Sequence, residues 1–426
     1  MRFSELAVFL QRAACRAAAS ALLAGVAATV LADPLSFDDA LALALRNAPE
    51  LAANAARIDA AREAATPAAE LPDPKLALGI INLPIEGPDR FSLTEEAMTM
   101  RSIGVMQEFP NSAKREARAA AARWRVDVAK ADLRIARLEV LRETAAAWIA
   151  RHSIEHQLAR LDELFKENRL FEAAVRARLA GGKGMSADVV MPRQEAAMIE
   201  DRRDELHASR SQAIASLRRW VGQAAEAPLQ GDPPDWPIAR DSLVQGLYRH
   251  PQLLAFDPKG KVLDAEVAEA QAAKKPDWAI ELAYQKRGAQ FGDMAMLQLS
   301  FDLPVFPGSR QDPMIAARLA ERTSLDAERE TALREQAAVL DSEFADYERL
   351  ANALRRQNEV LVPLAREKVD LAMADWRGGR GSLADLIAAR RERIDAELKA
   401  IQLAGARLQL AARLHYSYAE QAGEQP

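Results

Sequence analysis

Two histidines have the spacing that could most directly do chemistry. On a helix, His152 and His156 would share one face, and neutral imidazoles are common metal ligands. The sequence fixes no carboxylate or cysteine beside them, so we interpret the pair as part of a solvated helix face and predict no metal site. The sequence also shows no Ser-His-Asp set, paired acid–base residues or cofactor-binding loop. It therefore predicts neither an enzyme nor a bound cofactor.

Five methionines near the predicted strands are a second group that could bind a metal. Thioether sulfurs are soft ligands that suit copper(I), but methionine equally serves as flexible apolar filler. We prefer the second interpretation. The five are Met98, Met100, Met106, Met294 and Met296.

A glycine-rich segment with a basic residue at its centre occurs at residues 181–188 and again at 378–385. A phosphate-binding loop needs its lysine directly before Ser or Thr, on a turn from strand to helix. Here Lys183 precedes Gly184 and follows a predicted helix, so phosphate binding is not expected.

Both segments are instead predicted to be helix–turn–helix tips. Glycines supply the positive-φ conformations that such turns use, and Ser382 with Asp385 has the spacing of a capping box. The predicted tip residues are Gly181, Gly182, Gly184 and Asp188 in the first copy and Gly378, Gly379, Gly381 and Asp385 in the second.

The tips belong to a duplication of the whole chain. Three further matches occur in the same order in both halves: residues 47–51 with 249–253, 71–74 with 275–278, and 108–110 with 302–304. We therefore divide the chain into a leader, residues 1–32, and two repeats, residues 33–222 and 223–426.

Each repeat is predicted to contain one very long helix. No Gly or Pro interrupts residues 111–180, and an unbroken helix near this length would measure about 100 Å. Pro363 is expected to kink the second long helix. The apolar seams predicted along the two helices are Ile154, Leu158, Leu161 and Phe165, and then Ala337, Leu340, Phe344, Tyr347, Ala351 and Leu354.

Four strands precede the long helices, two in each repeat. Apolar and polar residues alternate in the second pair, which gives each strand one apolar face and one polar face exposed to water. The positions predicted to face lipid are Trp278, Ile280, Leu282, Tyr284, Leu297, Leu299 and Phe301. A weaker alternation in the first pair comprises Leu76, Leu78 and Ile80, then Ile103, Val105, Gln107 and Phe109. The fold class is thus mainly α with a small β part. Taken alone, the strands could also cover a soluble core.

Composition and the first residues indicate export. The net charge of −5 gives no basic surface for nucleic acid. Three arginines precede an uncharged run, residues 17–32, that ends in small residues, as in a secretory signal peptide. The mature chain should begin at or near Asp33. Cys15 lies within the leader, so neither thiol chemistry nor an acylated terminus is expected.

The element order, the duplication and the two tips together resemble the TolC family of outer-membrane factors over about residues 35–418. Residues 47–51 and 251–253 resemble the family's NPEL helix ends, and residues 109–110 and 303–304 resemble its strand-to-helix turns. Within the family, the chain is most similar to outer-membrane components of heavy-metal efflux systems, of the CzcC and CusC type. Residues 71–74, 82–84 and 106–110 carry that similarity.

The resemblance implies a homotrimer in the outer membrane of a Gram-negative bacterium. Its 12-stranded barrel would stand in lipid above a periplasmic helical tunnel. Its tips would dock on a periplasmic adaptor linked to an inner-membrane RND-type pump, with Asp188 and Asp385 as gate or docking residues. An acidic entrance is not expected at Ala388, where the family often has an acid. Two alternatives stay open: a soluble periplasmic coiled-coil scaffold, and the same duct serving drug efflux or type I secretion.

Overall fold

The computed structural model describes residues 34–182 and 185–419, in which helices predominate. The predicted leader, residues 1–32, and the predicted first mature residue lie outside the described residues. The first half contains β1 (Leu35–Ser36), α1 (Phe37–Asn47), α2 (Pro49–Ala65), β2 (Lys75–Ile81), β3 (Met100–Phe109), α3 (Ser112–Ala180) and α4 (Val190–Val221). The second contains β4 (Leu229–Gln230), α5 (Arg240–Leu247), α6 (Pro251–Leu254), α7 (Phe256–Ala272), β5 (Trp278–Lys286), β6 (Met294–Phe301), α8 (Gln311–Arg356), α9 (Val362–Arg377) and α10 (Leu383–Leu414).

Both halves run through helices, two strands, a long helix, a tip and a returning helix, as predicted. The mainly helical fold class is confirmed. The boundary between the two repeats at residue 222 stays a prediction, although Gly222 does end α4 with a positive φ of 64°.

The predicted long helix of the first half is α3, with 69 residues. Its Asn111 cap accepts a hydrogen bond from the backbone N–H of Lys114 at 2.9 Å. The carboxylate of Asp277, 166 residues later, accepts a further bond from the backbone N–H of Asn111 at 2.8 Å and pairs with the Lys114 ammonium. The start of the rod is therefore tied to the second half of the chain.

The second rod is interrupted where the sequence predicts a kink. A π-helical turn, Gln357–Leu361, joins α8 to α9 just before Pro363. Proline has no N–H to donate to the carbonyl four residues back, and a π turn locally changes the hydrogen-bond spacing of a helix. The helix therefore continues past Pro363 to Arg377 instead of ending there.

The two predicted seams pack in different parts of the molecule. Leu158 and Leu161 of α3 are buried against α4 and α10, and Ile154 and Phe165 are partly buried beside them. In the second seam Leu340 is buried, and its neighbours lie on the short helix α5 and at the end of α10, where Leu414 is also buried. Both seams therefore pack against α10, the first near its middle and the second near its end.

Two short strands form a second, separate sheet. The short strand β1 pairs with β4 in parallel, Leu35 opposite Leu229. Trp148 of α3 is fully buried beneath them and donates its indole N–H to the Leu35 carbonyl at 3.3 Å. The β1–β4 pair therefore joins the start of the described chain to the connection between the halves, and Trp148 ties this pair to α3.

Arg151 strengthens the same junction. Its fully buried guanidinium donates to the carbonyls of Ala225 at 2.6 Å and Ala227 at 2.8 Å, and its Nε donates to Glu155 at 2.8 Å. A buried charge is tolerated when its hydrogen bonds are satisfied. The connection after α4 is thereby held against α3.

The four main strands form one antiparallel sheet in the order β2-β3-β5-β6. The two halves meet in its middle, where β3 pairs with β5 from Arg101–Lys286 to Phe109–Trp278. The rings of Phe109 and Trp278 stack there with centroids 4.1 Å apart. Across the described residues, none of the helices combines the length and hydrophobicity needed to cross a membrane.

Candidate functional site: an exposed apolar sheet face and a joint hairpin tip

All seven predicted lipid-facing residues lie on one face of the four-stranded sheet. Residues that pair directly across antiparallel strands share a face, and the register pairs Leu282 with Leu297, Ile280 with Leu299 and Trp278 with Phe301. Tyr284 lies two residues beyond Leu282 on β5 and therefore has the same facing.

The first half completes this face. Leu76 pairs with Val105, which pairs in turn with Leu282, so a row of apolar side chains crosses all four strands. Leu297 keeps 65% and Leu299 55% of its surface exposed. A contiguous apolar surface of this kind marks a protein or membrane contact in a folded chain. Contact with lipid itself stays a prediction.

The opposite face carries small and polar side chains together with four methionines, Met100, Met106, Met294 and Met296. Glu281 pairs with Gln298 and Ala279 with Ser300. At Gly104 the strands approach so closely that a Cβ atom would lie 2.9 Å from the Cβ of Ala283. Within the described chain, β2 and β6 form the two edges of the sheet, each with one side unpaired.

The sheet does not gather the methionines into a ligand set. Met106 is level with Glu281 and Gln298, whereas Met296 is level with Ala283 and Gly104, two strands away on another row. Met98 precedes β3 and is exposed. The strands therefore give no support to copper ligation, and apolar filler remains the preferred interpretation.

The two tips use their glycines in the same way. Gly182 has a φ of +72° and Gly379 a φ of +74°, so the second glycine of each segment takes the left-handed conformation. Gly181 and Gly378 have negative φ values and end the preceding helices. A Cβ atom at Gly381 would lie 3.0 Å from that of Asp375. Gly184 lies outside the described residues.

Both predicted tip aspartates cap a helical turn. The Ser382 hydroxyl accepts from the backbone N–H of Asp385 at 3.1 Å and donates to its carboxylate at 2.6 Å. Asp188 accepts from the backbone N–H of Met185 at 2.9 Å. The predicted cap at Ser382 is present, and the role of either aspartate in docking or gating stays a prediction.

Sequence reasoning missed that the two tips pack together. They share one apolar core, here called the tip cluster, in which Phe171 meets Trp376 edge-on at 5.7 Å. The guanidinium of Arg178 lies 4.6 Å from the centre of the Trp376 ring. The cluster comprises Phe171, Val175, Val369, Trp376, Leu383, Leu386, Ile387 and Ala389.

A buried ion pair stands beside the tip cluster. Arg390 of α10 contacts Glu195 of α4 at 3.1 and 3.2 Å, and both side chains are almost fully buried. Burial raises the pKa of the Glu195 carboxyl, and the positive charge of Arg390 opposes that rise. Arg390 also lies over the Phe171 ring at 4.7 Å. Nothing in the sequence pairs these residues, because they lie in different repeats.

A groove of about 450 Å³ opens beside the second tip. Its apolar wall includes Leu364 and Leu371, and its polar wall includes Asp375, Ser382 and Asp385. This end of the chain therefore offers a mixed apolar and acidic surface beside the tip cluster.

The prediction of a solvated histidine pair holds for His156, which is exposed, but not for His152. His152 is largely covered rather than solvated, and its Nε2 atom lies 3.3 Å from the carboxylate of Asp232, which the sequence did not place beside it. The connection between the two halves brings Asp232 there.

Comparison with known proteins assigns the fold. Residues 40–223 match the model of a family described as outer membrane efflux protein, a family of efflux proteins and not of enzymes. The sequence has no significant match among the curated proteins. A membrane protein from Pseudomonas aeruginosa is similar with a TM-score of 0.76 at 17% identity, over 89% of each chain.

Two other solved structures are similar to this chain in fold. VceC of Vibrio cholerae is similar with a TM-score of 0.69 at 19% identity, over 89% of this chain and 95% of VceC. CusC is similar with a TM-score of 0.73 at 14% identity, over 89% of this chain and 91% of CusC. Residues 40–223 thus match the outer membrane efflux protein family, and the chain has the fold of solved outer-membrane channels.

Proposed function

We propose that the protein is the passive outer-membrane exit duct of a tripartite efflux system. The observation that carries this proposal is a sheet with one exposed apolar face and two unpaired edges in the described chain, followed by the helix α3, which is about 100 Å long. The alternative class, a soluble periplasmic scaffold, does not account for such an apolar face.

The sheet supports assembly as a homotrimer. Four strands cannot close around a lumen, and open edges invite pairing with another chain. Three copies would close 12 strands by pairing β2 of one chain with β6 of the next. The strands β3 and β5, with 10 and 9 residues, have the length that tilted strands need to cross a bilayer.

The remaining elements fit a periplasmic tunnel. The long helices leave the sheet at Ser112 and Gln311 and end at a tip where both hairpins share one core. In the proposed trimer this tip meets the periplasmic adaptor, which links the duct to an inner-membrane RND-type pump. The duct itself supplies a path and no energy.

The proposed cargo is heavy-metal ions. Residues 71–74, 82–84 and 106–110 resemble segments of heavy-metal efflux components, and CusC is among the similar structures. The same fold also occurs in the CmeC channel of Campylobacter jejuni and in MtrE of Neisseria gonorrhoeae, so drug efflux or type I secretion is the competing assignment.

Two measurements test the proposal in order. A mass determination of the membrane-extracted protein in mild detergent should give a trimer, and a stable monomer would contradict the duct. Deletion of the gene should then sensitise cells to one or a few transition-metal ions. Unchanged metal tolerance with lost resistance to detergents or dyes would move the duct to drug efflux.

A further inference from the structure

We propose that His152, His156 and Asp232 form a binding site for one divalent transition-metal ion of the Zn²⁺ class. The site would connect α3 to the segment between the two halves. It lies apart from the sheet and the tips, and it does not depend on what the duct carries.

The three side chains already converge. One potential ligand atom from each residue lies within 4.8 Å of the other two. Metal–ligand bonds of about 2.0–2.2 Å in a tetrahedral site place neighbouring ligand atoms roughly 3.3–3.6 Å apart. Closing the site thus requires movements on the order of 1 Å, within reach of side-chain rotation.

The histidines supply the rigid part of the site. They stand one helical turn apart on α3, with ring centroids at 4.1 Å. His152 stacks on the buried Trp148 at 5.1 Å, and Trp148 is held by its bond to Leu35. A ring fixed in this way has little orientational freedom left to lose when it binds a metal.

Asp232 supplies the adjustable part. It lies between β4 and α5, and 85% of its side chain is exposed, so it can move towards the imidazoles without disturbing a core. Glu155 also lies nearby, but Arg151 and Arg210 hold its carboxylate at 2.8 and 2.9 Å. It is therefore not counted as a ligand.

The contacts within the group suit a shared cation. The Nε2 atom of His152 already lies 3.3 Å from the Asp232 carboxylate, and the His156 ring lies 4.1 Å from the His152 ring, centroid to centroid. One divalent cation between the three side chains could accept a bond from each of them, with both imidazoles in the neutral form that coordinates metal.

The ligand set selects the class of ion. Imidazole nitrogens suit Zn²⁺, Cu²⁺ and Ni²⁺, whereas Mg²⁺ and Ca²⁺ prefer shells built from oxygen. With three protein ligands, the fourth position would belong to water.

Zn²⁺ itself is the probe for the test. Purified full-length protein in mild detergent, stripped of metal with a chelator, is titrated with Zn²⁺ against a chromogenic chelator. We expect one Zn²⁺ per chain from this site. His156→Ala and Asp232→Asn should each weaken it by at least about tenfold, and both side chains are exposed, so folding should survive.

His207→Ala is the matched control, because His207 is an exposed histidine on the neighbouring helix α4. It should retain full binding. As a second readout, Zn²⁺ should raise the melting temperature of the wild type and of His207→Ala but not of His156→Ala. Absent Zn²⁺ binding in the wild type, or equal affinity in either site variant, would overturn the site.

The Zn²⁺ titration and the melting measurement do not test transport. Binding is measured on purified protein and efflux is measured in cells, so a failure of the metal site can be distinguished from a failure of the proposed function.

Discussion

The sheet end and the tip end of this chain are stabilised in opposite ways. At the tip, two hairpins from different repeats bury a shared core and an ion pair within one chain. At the sheet, a whole apolar face and two edges are left without partners in the described chain. The tip core is therefore formed within one chain, whereas in the proposed duct the sheet is completed by lipid and by further copies. Mutations should accordingly separate assembly from coupling.

The largest expected effect is on assembly, at Leu299. A charge on a lipid-facing strand costs about 2–4 kcal/mol near the bilayer centre, and three chains multiply it in the trimer. Leu299→Arg should therefore lose most folded trimer in a mass measurement of the membrane-extracted protein. In a soluble monomer the same change would be mild, because Leu299 is exposed.

Gln298→Arg is the matched control for Leu299→Arg, since the neighbouring residue on β6 faces the opposite side of the sheet. It should assemble normally. Equal losses for the two variants, or a greater loss for Gln298→Arg, would show that the assignment of the two faces is wrong.

A second test removes the buried charge at the tip. Glu195→Ala leaves Arg390 buried without its partner, a change that costs about 3–5 kcal/mol. Hydrogen exchange in α4 and α10 near the tip should rise sharply, while trimer yield stays near normal.

The control for this test is Glu392→Ala, on the same helix as Arg390, which removes an exposed pair with Lys368 of α9. Such pairs contribute only about 0–1 kcal/mol, so exchange should hardly change. A collapse of trimer yield in Glu195→Ala would show that the two ends are not independent.

The smallest expected effect on stability is at the tip glycines. Valine at a positive-φ position typically costs on the order of 1 kcal/mol or more, so Gly182→Val with Gly379→Val should still give trimer. The altered turns should nevertheless abolish efflux and cross-linking to the adaptor, because every tip of the trimer changes shape.

Gly181→Ala with Gly378→Ala alters the adjacent glycines, whose φ values are negative. This pair should keep both trimer yield and efflux. Normal efflux from the valine pair would show that these turns are not the docking surface.

Local patterns allowed much of this fold to be predicted. The face on which a strand residue lies follows from period-two alternation, as at Leu297 and Leu299. The long helix follows from the absence of Gly and Pro in residues 111–180. The Ser382 cap depends on a spacing of three residues. In each case the residues that interact are close in sequence.

The parts that sequence reasoning missed depend on residues far apart. Arg151 binds carbonyls beyond the end of α4, and Arg390 finds Glu195 across the duplication. Asp232 reaches His152 only after the connection folds back on α3. Neither composition nor periodicity contains these pairings, since the packing of whole helices decides them.

The central pairing of β3 with β5 has a consequence for folding kinetics. Asn111 and Asp277 meet across 166 residues, and contacts of such long sequence separation form slowly because loop closure precedes their stabilisation. The β2–β3 hairpin alone is too small to be stable in water. The sheet should therefore be among the last structures to form, only after residues beyond Trp278 have been delivered. Until then the chain carries exposed apolar strands with unpaired edges, which are prone to aggregate.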